Sequence, residues 1–529
     1  MNGWLSKWTK RTPAAVAGLL LCILAGGCMD SQYYYRDVHA SRVASYQRWH
    51  RAKTQEMAAM PVVKGKLTLQ DAIKVALLYN KPLQAVLQDK EVARGRVIES
   101  YSEALPNVSV TGNYTRLDEL GGFNAGGQTV TIGELDNYSV NLQVRQPIFR
   151  GGGISAALRA AQIFSYLTDE TVRNQVQATI FDVARNYYDA LLAQQLYKVN
   201  RDAVVSAEAH LDDVRTKLKN GVASRFDVLR AEVDVSNFRA EMIQQQNRLH
   251  LAKTRLLKAM GVSQETEVEL ADELSYEPVR PILEEAVRIA HLNRPDLYAA
   301  ELGVRLQQEA VRIAKSRYWP RVDAVFTQGW SRPDPHTSTD DWGRQWTAGV
   351  QVEIPIFDGL RREGQLIQEK ATLRKRKVEL LDAEERALLE IQQALLSLRD
   401  AEELVESQRL NLDRAKEGLR LAGVGYRQGV NTEVEVIDAR AALTRAKGLY
   451  YQAIYAHTVA RLALQRAMGI LGPPAGDRTV PKEPPVRPAH IEQFAPAPRP
   501  ATQPATQPAS RPDKNTTHPR QDREGVTNR

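Results

Sequence analysis

Apolar residues recur at alternating steps of three and four positions along two proline-free segments, 148–277 and 356–472. In the second segment these positions are Ala387, Ile391, Ala394, Leu398, Ala401, Val405, Leu412, Ala415, Leu419 and Ala422. In the first segment they are Val183, Ala190, Ala193, Tyr197, Val204, Ala207, Leu211 and Val214. This spacing predicts helices that bury one stripe against a partner helix in a coiled coil. A helix over 153–219 would be roughly 100 Å long, more than a compact domain needs.

A second pattern, with a period of two, occurs in four segments that start near Asn107, Tyr138, Arg321 and Trp346. Their length matches a tilted strand that crosses a bilayer, and apolar-polar alternation is typical of membrane β-barrels. A soluble antiparallel sheet with one wet face has the same alternation. Four strands cannot close a barrel, and an open edge cannot face lipid. Strands that span a membrane must therefore be pooled from several chains. The connections 118–137 and 331–345 are predicted to be exposed loops.

The chain contains an internal duplication. Pro147-Ile148-Phe149 recurs as Pro355-Ile356-Phe357, Gly221-Val222 as Gly429-Val430, and Ala259-Met260-Gly261-Val262 as Ala467-Met468-Gly469-Ile470, always 208 positions later. Each half has the order helix, helix, two strands, long helices. We therefore predict a first repeat over 67–262, a linker over 263–280, a second repeat over 281–470 and a disordered Pro-rich tail over 471–529.

The N-terminus is predicted to be a signal peptide over 1–27, because three basic residues precede a short apolar run. Its end, Leu24-Ala25-Gly26-Gly27-Cys28, is similar to a bacterial lipobox, which implies that Cys28 carries lipid and heads a lipidated segment over 28–66. An ordinary signal peptide with a chance cysteine is the alternative. Met29 follows Cys28 where an Asp would favour the inner membrane, so we expect the outer membrane. Acyl chains tether a protein without spanning the bilayer.

The net charge of +8 does not indicate a nucleic-acid partner, because residues 1–27 and 473–529 each carry +3 and the body is nearly neutral. Two cysteines exclude a disulfide scaffold and a multi-cysteine metal site. The nine histidines have no metal-ligand spacing, and no phosphate or dinucleotide loop is complete. We predict no enzyme activity, no metal and no cofactor apart from the lipid on Cys28.

The lipobox, the duplicated helix–strand–strand–helix unit and the long heptad helices together resemble the TolC-type outer-membrane efflux proteins. The resemblance covers about 67–470 and implies a mainly α protein with membrane β-strands. It implies a homotrimer in which each protomer gives four strands to one 12-stranded β-barrel, continued across the periplasm as a helical α-barrel. Such a channel is the exit duct of a tripartite efflux or type I secretion system, with a periplasmic adaptor protein and an inner-membrane transporter as partners. Pro147 and Pro355 would mark the passage from strand to helix.

The resemblance also assigns roles at the turns that join the long helices. Gly221 and Gly429 would lie at a periplasmic tip that docks the adaptor, although a glycine ending one helix is also ordinary helix-hairpin chemistry. Tyr426 and Asp227 match a link that helps to hold this gate shut. Asn431 stands where some family members have an Arg that makes a second link, so the gate is expected to be looser or differently held.

Glu435 and Asp438 match an acidic pair that lines the narrowest ring of the family's channel. Carboxylates gathered from several copies attract cations and raise one another's pKa. The alternative is that both acids merely favour the first turns of a helix, where they suit its dipole. A different class of protein also fits the helices, namely a periplasmic coiled-coil structural lipoprotein with a small soluble sheet.

Overall fold

The computed structural model describes residues 31–52, 66–125, 128–131, 134–334, 336 and 340–472. The predicted signal peptide, Cys28 and the tail from residue 473 lie outside the described residues. The helices are α1 (Ser31–Ala52), α2 (Leu69–Tyr79), α3 (Lys81–Ser102), α4 (Gly153–Lys219), α5 (Arg225–Met260), α6 (Leu283–Asn293), α7 (Pro295–Ser316), α8 (Arg361–Arg427) and α9 (Glu433–Ala467). The strands are β1 (Lys66–Leu67), β2 (Asn107–Arg116), β3 (Gly122–Ala125), β4 (Gln128–Thr131), β5 (Asp136–Phe149), β6 (Glu269–Leu270), β7 (Arg321–Arg332) and β8 (Gly343–Glu353).

Two long helical hairpins dominate the fold. Helices α4 and α8 have 67 residues each, and they pack along α5 and α9, respectively. The heptad positions form the seams: Val183 and Ala190 of α4 are fully buried, and Ile391, Leu398 and Val405 of α8 are almost so. Contacts between α4 and α9 join the two hairpins. The mainly helical class that the sequence predicts is therefore confirmed.

A four-stranded antiparallel sheet lies beyond the start of the long helices, in the order β2–β5–β7–β8. These are the four alternating segments of the sequence, and the β5–β7 pairing joins the two halves. Strands β2 and β8 form the edges, and within the described chain neither has a partner on its outer side. Val110 of β2 and Trp346 and Val350 of β8 are about two-thirds exposed. The sheet therefore presents apolar side chains and open hydrogen-bonding edges.

Both predicted strand-to-helix passages are built on left-handed backbone. Pro147 lies within β5 next to a register shift, and Gly152, with φ 80°, directly precedes α4. In the second half Pro355 follows β8, and Leu360, with φ 66°, precedes α8. A left-handed residue before the first helical turn lets the chain change direction between the strand and the helix.

The middle of the molecule contains a parallel pairing of β1 with β6. The region 263–280, predicted as a linker, thus includes a strand and buries Val268 and Leu274 in the main core. The Tyr187 hydroxyl donates to the Leu67 carbonyl at 2.9 Å and lies 2.7 Å from the Asp272 carboxylate. This segment is therefore part of the packed body.

The predicted loop 118–137 is corrected by the structure, because β3 and β4 form a small hairpin inside it. These two short strands pair antiparallel, from Gly122 with Thr131 to Ala125 with Gln128. Within the described ranges, no helix is both long enough and apolar enough to cross a bilayer.

Candidate functional site

The two hairpin turns lie together at one end of the long helices. We call residues 210–234 and 425–440 the tip. Gly221 and Gly429 adopt φ of 75° and 77°. The amide of Val222 bonds the Lys217 carbonyl, and the amide of Val430 bonds the Gly425 carbonyl, each at 2.9 Å. Both long helices therefore end in the glycine-dependent motif that closes a helix and reverses the chain.

The next helix in each half begins with a capping box. The Asp227 carboxylate accepts hydrogen bonds from the amide and the hydroxyl of Ser224, each at 2.8 Å. The Glu435 carboxylate accepts from the amide of Thr432, also at 2.8 Å. These bonds satisfy amides that a helix start leaves unpaired, and the bonds from Ser224 lower the pKa of Asp227. Two predicted functional acids thus also fix the starts of α5 and α9.

The structure gives Tyr426 and Asp227 different partners within one chain. The Lys217 ammonium lies 3.8 Å from the centre of the Tyr426 ring, and the His210 ring lies 5.8 Å from it. The Tyr426–Asp227 link stays a prediction. Asn431 packs so closely against Gly425 that a Cβ there would lie 2.6 Å from its side chain. The Asn431 side chain therefore packs within the turn of its own hairpin.

The first two turns of α9 present two different faces. Glu435 and Asp438 are exposed and, three positions apart, share one face. Glu433, Val436 and Arg440 are buried on the other. The predicted ring residues are thus available to a channel lumen, and their role stays a prediction.

The sequence reasoning missed the buried face. The Nε2 atom of His210 on α4 lies 3.6 Å from Oε1 of Glu433, and both side chains are about 8% exposed. Neither Glu433 oxygen accepts a hydrogen bond within the described residues. The pKa of Glu433 is raised to about 7, mainly by burial and secondly by the nearby Asp227 carboxylate. The pKa of His210 is lowered to about 4, mainly by burial and secondly by the charge of Arg440. Both groups are therefore held neutral near pH 6.

A second buried contact lies further along α9. The Arg440 guanidinium is 3.2 Å from the Asp234 carboxylate of α5, with side chains 7% and 11% exposed. Like the His210–Glu433 contact, it joins the first hairpin to the second. No group of three His, Cys, Asp or Glu side chains in the part of the chain that the structure covers is placed to hold a metal ion.

Comparison with known proteins gives a consistent family match. The model of the outer membrane efflux protein family matches residues 72–262 and 286–470. The probable efflux pump outer membrane protein TtgC of Pseudomonas putida is 22% identical over 76% of this chain and 82% of its own. The alkaline protease secretion protein AprF of Pseudomonas aeruginosa is 22% identical over 77% of this chain and 85% of its own.

Among solved structures, the outer membrane protein VceC of Vibrio cholerae superimposes with a TM-score of 0.66. The match covers 76% of this chain and 96% of VceC, at 17% identity. At this identity the superposition supports the fold alone.

Proposed function

The chain belongs to the outer membrane efflux protein family, and from this we propose that it is a trimeric outer-membrane channel that passively conducts solutes out of the periplasm. The observation that carries the proposal is the four-stranded sheet with open edges at β2 and β8. Open edges cannot face lipid, so closure needs further strands. Three copies supply a 12-stranded barrel, and the resemblance to the family gives that number.

The outer face of α8 supports the same assembly. Val378, Leu381 and Leu396 are each about 60% exposed, although they lie on a helix whose opposite stripe is buried. A second apolar stripe on a long helix needs another partner. In the proposed trimer, helices of neighbouring protomers cover it and complete the α-barrel.

We place the protein as the exit duct of a tripartite efflux or type I secretion system. One relative is described as part of an efflux pump and another as a protease secretion protein, so both uses of such a duct occur among similar chains. The tip turns at Gly221 and Gly429 are the proposed docking surface for a periplasmic adaptor, which would connect an inner-membrane transporter. Lipid on Cys28 would add an anchor in the outer membrane.

The experiment that tests this function combines assembly with conductance. Full-length protein from outer-membrane fractions should migrate as a heat-resistant trimer and should form channels in a planar lipid bilayer. A Cys28→Ala variant should lose the acyl chains and still form channels. A monomer without conductance would contradict the proposal and favour a structural coiled-coil lipoprotein.

The acidic ring is tested in the same recordings. Glu435 caps α9, so truncation to Ala would remove both a charge and a helix cap. The double variant Glu435→Gln/Asp438→Asn removes the charge and keeps hydrogen-bonding side chains. We expect it to lose cation preference and block by multivalent cations, because a ring of carboxylates from all protomers is neutralised. Unchanged selectivity and block would exclude the ring.

A further inference from the structure

The two faces of the four-stranded sheet differ in their chemistry. Side chains alternate between the faces, and residues that are Cα partners in neighbouring strands share a face. The strand register therefore assigns each residue to one of them. One face is mostly apolar and includes Val108, Val110, Val140, Leu142, Val144, Ala324, Phe326, Ala348, Val350 and Val352. In a barrel closed by further copies, this face meets lipid and the opposite face lines the lumen.

The opposite face, which we call the lumen face, is polar and almost uncharged. It carries hydroxyl or amide side chains or glycine at Ser109, Thr111, Asn113, Ser139, Asn141, Gln143, Thr327, Gly329, Gln345 and Thr347. Along the four described strands, from the level of Arg145 to the end far from the long helices, Arg145 is the one charged residue of this face.

The charges of the lumen face that lie closer to the long helices are balanced. The Asp323 carboxylate lies 2.6 Å from the Arg150 guanidinium. Arg321 and Glu353 are Cα partners at the ends of β7 and β8. Arg145 is exposed, and its Cα partners in both neighbouring strands are uncharged. Arg145 therefore leaves the lumen face with one net positive charge per protomer.

We propose that Arg145 from each protomer forms a basic ring in the lumen, where the barrel continues into the long helices, and that this ring attracts solutes carrying carboxylate or phosphate groups. The inference rests on the proposed channel function and adds a second charge filter to it. Rings of Arg or Lys favour anions in pores, and low-dielectric walls focus their field. Solutes that leave the proposed acidic ring at the tip then meet a ring of the opposite sign.

The test measures the chloride-to-potassium permeability ratio of the full-length channel in planar bilayers under a KCl gradient. All channels carry Glu435→Gln/Asp438→Asn, so that the tip does not mask the barrel. Arg145→Gln removes the charge from the lumen face, whereas Arg344→Gln removes an exposed charge from the apolar face. We expect Arg145→Gln to shift the ratio towards potassium and Arg344→Gln to leave it unchanged.

The salt concentration supplies a second readout of the same ring. At about 10 mM salt the Debye length is about 30 Å, so the field of the ring extends far into the lumen. At about 1 M salt the Debye length is about 3 Å, and the difference between the parent channel and Arg145→Gln should disappear.

Thiol chemistry tests the position of residue 145. Residues 29–529 contain no cysteine, so Arg145→Cys in a Cys28→Ala background is the only thiol after residue 28. A cationic methanethiosulfonate reagent should move the permeability ratio towards chloride, and an anionic one should move it towards potassium. The same reagents on Arg344→Cys should change nothing.

Two results would overturn the basic ring and leave the channel function intact. One is an equal permeability ratio with and without Arg145, and the other is an equal response to charged reagents at positions 145 and 344. Wild-type protein without conductance would overturn the channel function and the ring together.

Discussion

The buried contact between His210 and Glu433 makes two opposing contributions to the pH dependence of tip closure. Burial in the packed tip raises the pKa of Glu433 from 4.5 to about 7 and lowers the pKa of His210 from 6.5 to about 4, and we take this packed arrangement as the closed state of the proposed channel. We assume that opening exposes both groups to water and returns them to their ordinary pKa values. Each pKa shift then corresponds to a preference of roughly 3 kcal/mol for the neutral form of that group in the closed state.

Each group binds a different number of protons in the closed and in the open tip. Glu433 holds a proton in the closed tip between pH 4.5 and about 7 and lacks it in the open tip. Its stabilisation of closure is therefore complete below pH 4.5 and is lost as the pH rises through about 7. His210 lacks a proton in the closed tip between pH 4 and 6.5 and holds one in the open tip. Its stabilisation is complete above pH 6.5 and is lost as the pH falls through about 4.

Between pH 4.5 and 6.5 the two contributions cancel, because closing moves one proton onto Glu433 and releases one from His210. Other charged groups also face the pair: Asp213 and Lys217 on α4, Asp227 and Arg230 on α5, Tyr426 on α8 and Arg440 on α9. The pKa of Asp227 lies below 3.8 and that of Tyr426 above 10. The pair itself therefore adds no net pH dependence in this window, and any slope of the wild-type channel there comes from other groups such as Asp234, whose pKa burial raises.

Single substitutions should remove the cancellation in opposite directions. Glu433→Gln leaves His210 as the titrating group, so the closed-to-open ratio should fall by about tenfold per pH unit as the pH drops below 6.5. His210→Gln leaves Glu433, so closure should strengthen by about the same factor as the pH drops from 7 towards 4.5. Single-channel recording across pH 4–8 measures both slopes, and the double variant should follow the wild type between pH 4.5 and 6.5. Profiles of both single variants parallel to wild type would refute the reasoning.

Three further predictions concern stability and are measured by thermal unfolding of the full-length protein. Gly261→Ala should destabilise the fold by about 2 kcal/mol or more, because φ is 76° there and a Cβ would lie 2.1 Å from the Tyr79 carbonyl oxygen. Gly448→Ala, in the interior of α9 with its nearest neighbour at an ordinary 3.6 Å, should stabilise it by up to about 1 kcal/mol. Tyr187→Phe should cost about 1–2 kcal/mol, because it removes a buried hydroxyl that contacts the Leu67 carbonyl and the Asp272 carboxylate, although the Ala271 amide still donates to that carbonyl. An unchanged melting temperature in Gly261→Ala, or a lowered one in Gly448→Ala, would contradict the packing.

The first long helix could be predicted from the sequence to within a residue or two. Heptads interrupted only at Asn186 and Asn200, the absence of proline and a glycine at the end leave few alternatives to a helix over 153–219, and α4 spans Gly153–Lys219. The pairing of β1 with β6 could not be predicted, because each strand has two residues and the partners are 203 positions apart. Such short strands carry no periodicity, and only the folded core determines that they meet.

At the tip, the sequence alone also could not predict which acidic residues are buried. Glu433, Glu435 and Asp438 form one acidic stretch in the sequence, and their charge alone does not distinguish them. Helical geometry separates them: positions 433, 436 and 440 share one face, and 435 and 438 share another. Which face is buried depends on the first hairpin, because Glu and Arg at buried positions do not produce an apolar stripe. The consequence is mechanical, since the start of α9 carries both the buried contacts to the first hairpin and the proposed acidic ring. A movement of α9 that releases Arg440 from Asp234 must therefore also displace Glu435 and Asp438, so opening and a change in cation preference should occur together.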